Sequence, residues 1–183
     1  MKNIVAVVGM CGSGKSVVCD YLEKLGYQKL YFGGITYKLM KEAGIPINPD
    51  TEREFRENLR KEHGPECYAK MIYNDLIKID DKNIVLDGLY SWHEFTYLQN
   101  KLGDKLKLIA VICDKELRYD RISKRKERPF SFDKAVERDI SEIENLFKGG
   151  PIAFANYFIL NNGPIKNIPK RVDEILEDIE SKK

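Results

Sequence analysis

The residues best suited to chemistry stand near the amino terminus, where Gly9-Met10-Cys11-Gly12-Ser13-Gly14-Lys15-Ser16 fits GxxxxGK[ST] at every fixed position. Glycines let a backbone aim its N–H groups at an anion, and a helix opening directly after the loop adds its positive end. Gly9, Gly12, Ser13, Gly14, Lys15, Ser16 and Val17 therefore form the expected polyphosphate-binding set. Lys15 is placed to reach the β- and γ-phosphates, and Ser16 to hold Mg²⁺ through its hydroxyl. ATP and Mg²⁺ are the ligands this implies. Asp87 ends the apolar run Ile84-Val85-Leu86, which sets a carboxylate at the carboxyl end of a strand. It reads as a second Mg²⁺ contact, direct or through water, with a simple cap on the turn at Gly88 as the alternative.

Arginines gather in one stretch: Arg118, Arg121, Arg125, Arg128 and Arg138, with Lys124 and Lys126 among them. At three- and four-residue spacing a helix shows Arg118, Arg121 and Arg125 on one face. Phosphoryl transfer spreads negative charge over the equatorial oxygens of the moving group, and guanidinium groups on a closing segment can neutralise it. Lys15, Asp87 and arginines of this stretch are thus the candidate catalytic residues. The plainer reading of the arginines is a solvated helix with acidic partners.

These groups need a scaffold that brings strand ends together. Strand and helix patterns alternate along all 183 residues with no internal repeat or linker, so one α/β domain is expected. Short apolar runs predict strands over 3–8, 28–32, 83–87, 106–113 and 157–160. Helices are predicted over 16–25, 35–43, 51–61, 65–79, 91–102, 116–126, 132–147 and 170–179. Strands separated by helices make a doubly wound parallel sheet.

Composition narrows the classes. With 31 basic and 29 acidic residues and a net charge of +2, the chain has no overall basic footprint for nucleic acid. The opening run MKNIVAVVGM is too short for a membrane span and leads straight into the glycine loop, so a cytoplasmic protein is expected. Cys11, Cys19, Cys67 and Cys113 lack CxxC spacing and read as reduced, mostly buried thiols, while His63 and His93 lack metal-ligand spacing and read as surface residues. Tyr90, Trp92 and Phe95 either stack on an acceptor's ring or belong to the core.

Taken with the loop, the blocks VLDG at Val85 to Gly88, EHGPECYAK at Glu62 to Lys70, VERD at Val136 to Asp139 and ANYFILNNG at Ala155 to Gly163 resemble an archaeal adenylate-kinase-related family over nearly the whole chain. The resemblance implies a nucleoside-monophosphate-kinase-like fold of five parallel strands. It also implies an acceptor-covering segment over about 34–79, and a short lid over about 121–138 carrying Arg121, Arg125 and Arg138 as phosphate and lid arginines. Two positions depart from the family. Gly33-Gly34 stands where it shows Gly-Asp, and Tyr90 where it shows an arginine; both fall on the acceptor side.

The resulting expectation is an ATP-dependent phosphotransferase acting on a small phosphate-bearing acceptor. Gly33-Gly34 offers backbone N–H groups, Arg60 and Lys70 are the cations to pair with the acceptor's phosphate, and Tyr37 and Tyr90 shape the rest of the pocket. The alternatives are a dephospho-CoA kinase, whose hydroxyl acceptor wants a carboxylate base near the end of the second strand, and a slow nucleotide-dependent switch.

Overall fold

The computed structural model describes residues 3–80, 82–126 and 129–182. Strands β1 (Ile4–Val8), β2 (Gln28–Tyr31), β3 (Ile84–Asp87), β4 (Leu106–Ile112) and β5 (Tyr157–Leu160) form one all-parallel sheet. Its order is β2-β3-β1-β4-β5, so the expected doubly wound five-stranded sheet is present. β1 is central because both its faces are apolar. Ile4, Ala6 and Val8 enter one core layer, and Val5 and Val7 the other. On the first side pack Phe32 and helices α4 (Cys67–Leu76) and α5 (Trp92–Leu102); on the second pack α1 (Lys15–Lys24) and α9 (Ile168–Ser181).

The connections also include α2 (Phe32–Glu42), α3 (Pro49–His63), α6 (Lys115–Ser123), α7 (Phe132–Glu144) and α8 (Gly149–Ala153). Two helix starts are fixed by reciprocal side-chain caps, Asn48 with Thr51 on α3 and Ser91 with Glu94 on α5. No described helix is long and apolar enough to cross a membrane. All four cysteines are unpaired, and Cys11, Cys19 and Cys67 are buried.

Three expected elements differ in ways that bear on the site. The helix expected from Ile35 begins at Phe32, so Gly33 and Gly34 lie in its first turn instead of a loop. Their role is to seat an aromatic ring: a Cβ on Gly33 would stand 2.4 Å from the Tyr31 ring. The helix expected over 116–126 stops at Ser123, because Ile122 is its last buried apolar residue and Ser123 to Lys126 offer nothing to pack. Arg125 therefore lies off the helix, and the three-arginine face does not form. The helix expected over 65–79 runs only from Cys67 to Leu76, with Pro65 outside it.

Candidate functional site

The phosphate loop joins the carboxyl end of β1 to α1, at the middle of the sheet where open α/β folds gather ligands. Its shape depends on glycine. Gly14 has φ +100, and a Cβ there would lie 2.3 Å from Asn161 Nδ2; a Cβ on Gly9 would lie 2.3 Å from the Val111 carbonyl oxygen. Three of the loop's carbonyls are engaged by side chains. Lys15 Nζ donates to the Met10 carbonyl at 3.0 Å, Arg118 Nη1 to that of Cys11 at 2.9 Å, and Asn161 Nδ2 to that of Ser13 at 2.8 Å. With its carbonyls turned to these braces, the loop is shaped to present amides to an anion. Ser13 Oγ is buried with no hydrogen-bond partner in the structure. An orphaned hydroxyl inside such a cradle fits a polyphosphate.

Arg118 is a brace of the loop, with no exposed face to offer a substrate. It is buried, and its guanidinium forms a two-point pair with Asp139 at 3.2 and 2.6 Å, while Tyr119 Oη donates to the same carboxylate at 3.0 Å. The other arginines sit around the loop's mouth. Arg125 Nη1 lies 3.7 Å from Cys11 Sγ, and Arg121 Nη1 lies 3.2 Å from Cys113 Sγ just past the end of β4. Arg138 stacks over the Phe130 ring at 5.4 Å and donates through Nε to Glu142 at 3.1 Å. Arg128, also named from the sequence, lies outside the described residues.

Lys15 and Asp87 carry perturbed protonation. Burial, followed by the neighbouring Lys148 charge, lowers the Lys15 pKa to about 8. Burial raises the Asp87 carboxyl, against the opposing pull of Lys29 and Lys15. Asp87 is paired in register with Val7 of β1 and Tyr31 of β2, so it stands between the loop and the end of β2. Ser16 is exposed at the first turn of α1. Among the described residues no three His, Cys, Asp or Glu side chains gather as a metal site, so a cation here would draw much of its coordination from bound phosphate and water.

The acceptor side differs from the sequence expectation. Arg60 is taken by Glu94 at 3.2 Å and lies over the Tyr68 ring, and Lys70 is taken by Glu66 at 2.7 Å. Glu94 also accepts from the Tyr90 and Ser91 amides at 3.0 and 3.1 Å, which pins the turn after β3. Tyr90 approaches Gly88, as does Tyr31 from the neighbouring strand. Asp87 and Arg56 lie near enough for their charges to act on Tyr31. Trp92 and Phe95 stack with Phe154 and belong to the packing, while His63 and His93 are exposed.

Four residues at this site were not singled out in the sequence. Tyr31 ends β2; Asn161, inside the ANYFILNNG block, follows β5; Glu142 and Lys148 come from α7 and the turn after it. Glu142 had a faint signal, one helical turn beyond Arg138. A lone lysine before Gly149-Gly150 had none.

Comparison with known proteins agrees with this architecture. The chain is 29% identical over 181 residues to a UPF0200 protein of Thermococcus onnurineus, covering 96% of this chain and 97% of that one. It is also 29% identical over 182 residues to a UPF0200 protein of Methanococcus maripaludis, covering 97% of each. Among solved structures, TT1252 from Thermus thermophilus superposes with a TM-score of 0.70 at 16% identity, covering 97% of both chains. Shikimate kinase from Acinetobacter baumannii superposes at 0.60 and 17% identity, covering 100% of this chain and 96% of that one. Dephospho-CoA kinase from Campylobacter jejuni superposes at 0.56 and 17%, covering 97% of each. At these identities the likeness shows a shared P-loop kinase fold. The family profile described as AAA domain matches residues 5–142, and the chain belongs to that family.

Proposed function

We propose that this chain transfers the terminal phosphoryl group of ATP to a small phosphate-bearing acceptor, in the manner of a nucleoside monophosphate kinase. The observation that carries the proposal is convergence. The phosphate loop and Lys15 stand at the carboxyl end of β1, with Arg125 beside Cys11 and Arg138 within charge range of it, while Tyr31 and Tyr90 close on Gly88 at the end of the neighbouring β3. In this reading the loop amides and Lys15 hold the donor phosphates, and Arg125 and Arg138 offset charge developing on the moving group. Ser16 would ligate Mg²⁺ and Asp87 would meet it through water. The ion would help neutralise the phosphate oxygens.

A phosphate acceptor is supported by the end of β2, which carries no carboxylate. Tyr31, Phe32, Gly33 and Gly34 follow one another, and the first-turn amides of α2 have no acceptor within their own helix. Arg60 and Lys70 pair with Glu94 and Glu66, and Arg56 pairs more loosely with Glu52 at 3.5 Å; because its charge also reaches Tyr31 and Tyr68, Arg56 is the cation best placed to turn to the acceptor's phosphate. One observation favours a hydroxyl acceptor such as dephospho-CoA instead: the raised Asp87 carboxyl is the kind of group that takes a proton.

Screening nucleoside monophosphates, dephospho-CoA and small phosphorylated metabolites for acceptor-dependent ADP release separates these readings. Transfer onto a phosphate group is the expected result. Transfer only onto a hydroxyl of dephospho-CoA would overturn it and make Asp87 the base. Slow hydrolysis indifferent to every acceptor would identify a nucleotide switch.

The Lys15 pKa gives a second test that needs no acceptor. A lysine whose folded pKa is lowered binds fewer protons than in the unfolded chain between about 8 and its ordinary value of 10.5, so stability rises with pH through that window. Bound phosphate reverses the shift by restoring the charge. At pH 8.5 binding of Mg·ADP is expected to take up roughly 0.7 proton at Lys15, measurable by calorimetry in buffers of different ionisation enthalpy. Proton uptake unchanged in a Lys15→Met variant would refute this.

A further inference from the structure

Lys148 lies in the turn between α7 and α8 and is 1% exposed, an unusual setting for a lysine. Its ammonium donates to Glu142 Oε2 at 2.6 Å and sits 4.5 Å from the centre of the Tyr90 ring. The other oxygen of the same carboxylate accepts from Arg138 Nε at 3.1 Å. Lys148 also lies near enough to Lys15 for its charge to act there. Three cations, Lys15, Arg138 and Lys148, thus act on Glu142. Lys148 is fully buried and Arg138 partly so, and cations gathered on one buried carboxylate favour the approach of an anion.

We infer that Lys148 is a positioning residue for the terminal phosphate: it fixes Glu142, and through Glu142 sets the Arg138 guanidinium at the mouth of the phosphate loop. The geometry has the parts this requires. Glu142 is itself buried and spans two partners, one on each oxygen, so its orientation depends on both. Arg138 retains an exposed portion and can reach a ligand, whereas Lys148 cannot without rearrangement. The Tyr90 ring lies against the same ammonium and joins this clamp to the turn after β3. The inference deepens the phosphotransfer reading and rests on it in one point, that the anion beside Lys15 is the terminal phosphate of the donor.

The test compares the full chain's affinity for Mg·AMP-PNP with that for Mg·ADP by calorimetry, a ratio that reports the terminal phosphate without turnover. Lys148→Met is expected to lower the preference for the triphosphate analogue by about tenfold while leaving ADP affinity within about twofold. The double variant Lys148→Met/Arg138→Met is expected to lose no more than Arg138→Met alone, since both act through one guanidinium. A folded Lys148→Met protein with the wild-type preference would overturn the inference, as would additive losses in the double variant. Should Lys148→Met fail to fold, Lys148→Met/Glu142→Met removes both buried charges together and carries the same expectation. Glu142→Gln, which leaves the lysine in place, is expected to lower the ratio as well. The expected binding changes in a protein that transfers no phosphoryl group would uphold the Lys148 inference and remove the transfer reading.

Discussion

Replacing Lys15 with methionine is expected to abolish nearly all ATP-dependent ADP formation, by about 10²- to 10³-fold, while leaving a folded protein. Methionine keeps much of the stem's volume and removes the charge. The loop should survive the change, because Arg118 and Asn161 hold it from outside. What disappears is the group that follows charge onto the bridging and terminal phosphate oxygens as transfer proceeds. Because the Lys15 ammonium is buried and its pKa is lowered, its removal relieves a desolvation cost. Thermal stability of the nucleotide-free protein is therefore expected to hold or rise. Turnover and ATP affinity equal to wild type in a folded Lys15→Met protein would sink the donor-site assignment.

Asp139→Ala is expected to have the largest effect on stability. The substitution leaves the Arg118 guanidinium buried without its carboxylate and takes from Tyr119 Oη its acceptor. Removing one partner of a buried pair typically costs about 3–5 kcal/mol. Urea denaturation followed by circular dichroism should show a loss of that order. Loss below 1 kcal/mol would mean the pair is not the brace described here. Nucleotide affinity should fall as well, because Arg118 also holds the Cys11 carbonyl. An Arg118→Met/Asp139→Leu protein, which removes both charges, should recover much of the stability but not the affinity. That separation would distinguish a brace of the loop from a mere core ion pair.

Legibility in the sequence followed the range of the interactions. The phosphate loop could be read because its requirements are local: glycines, a lysine and a serine at fixed spacing between a strand and a helix. The two central strands could be read because Ile4 to Val8 and most of Leu106 to Ile112 are apolar on both faces. The arginine face failed at Ser123, since spacing alone cannot show that a helix ends where its last buried residue, Ile122, leaves the core. The place of Gly33-Gly34 in the first turn of α2 has no local signal, because the Tyr31 ring that needs the space comes from the preceding strand and folds back over it. Arg60 and Lys70 were assigned to the acceptor by segment, yet tertiary partners, Glu94 and Glu66, decide where they point. Lys148 was invisible because its meaning depends on Tyr90, far away in the chain, and on Glu142 across a turn.

Asn161 spans the widest gap in the site, reaching from the residue after β5 back to the Ser13 carbonyl. In chain order the phosphate loop precedes this brace by nearly 150 residues. β5 itself has only β4 to pair with and forms one edge of the sheet. A nascent chain ending before Asn161 would carry the full glycine motif without the side chain that closes behind Gly14. The glycine motif is therefore not a finished cradle by itself, because one of its braces comes from beyond the edge strand β5.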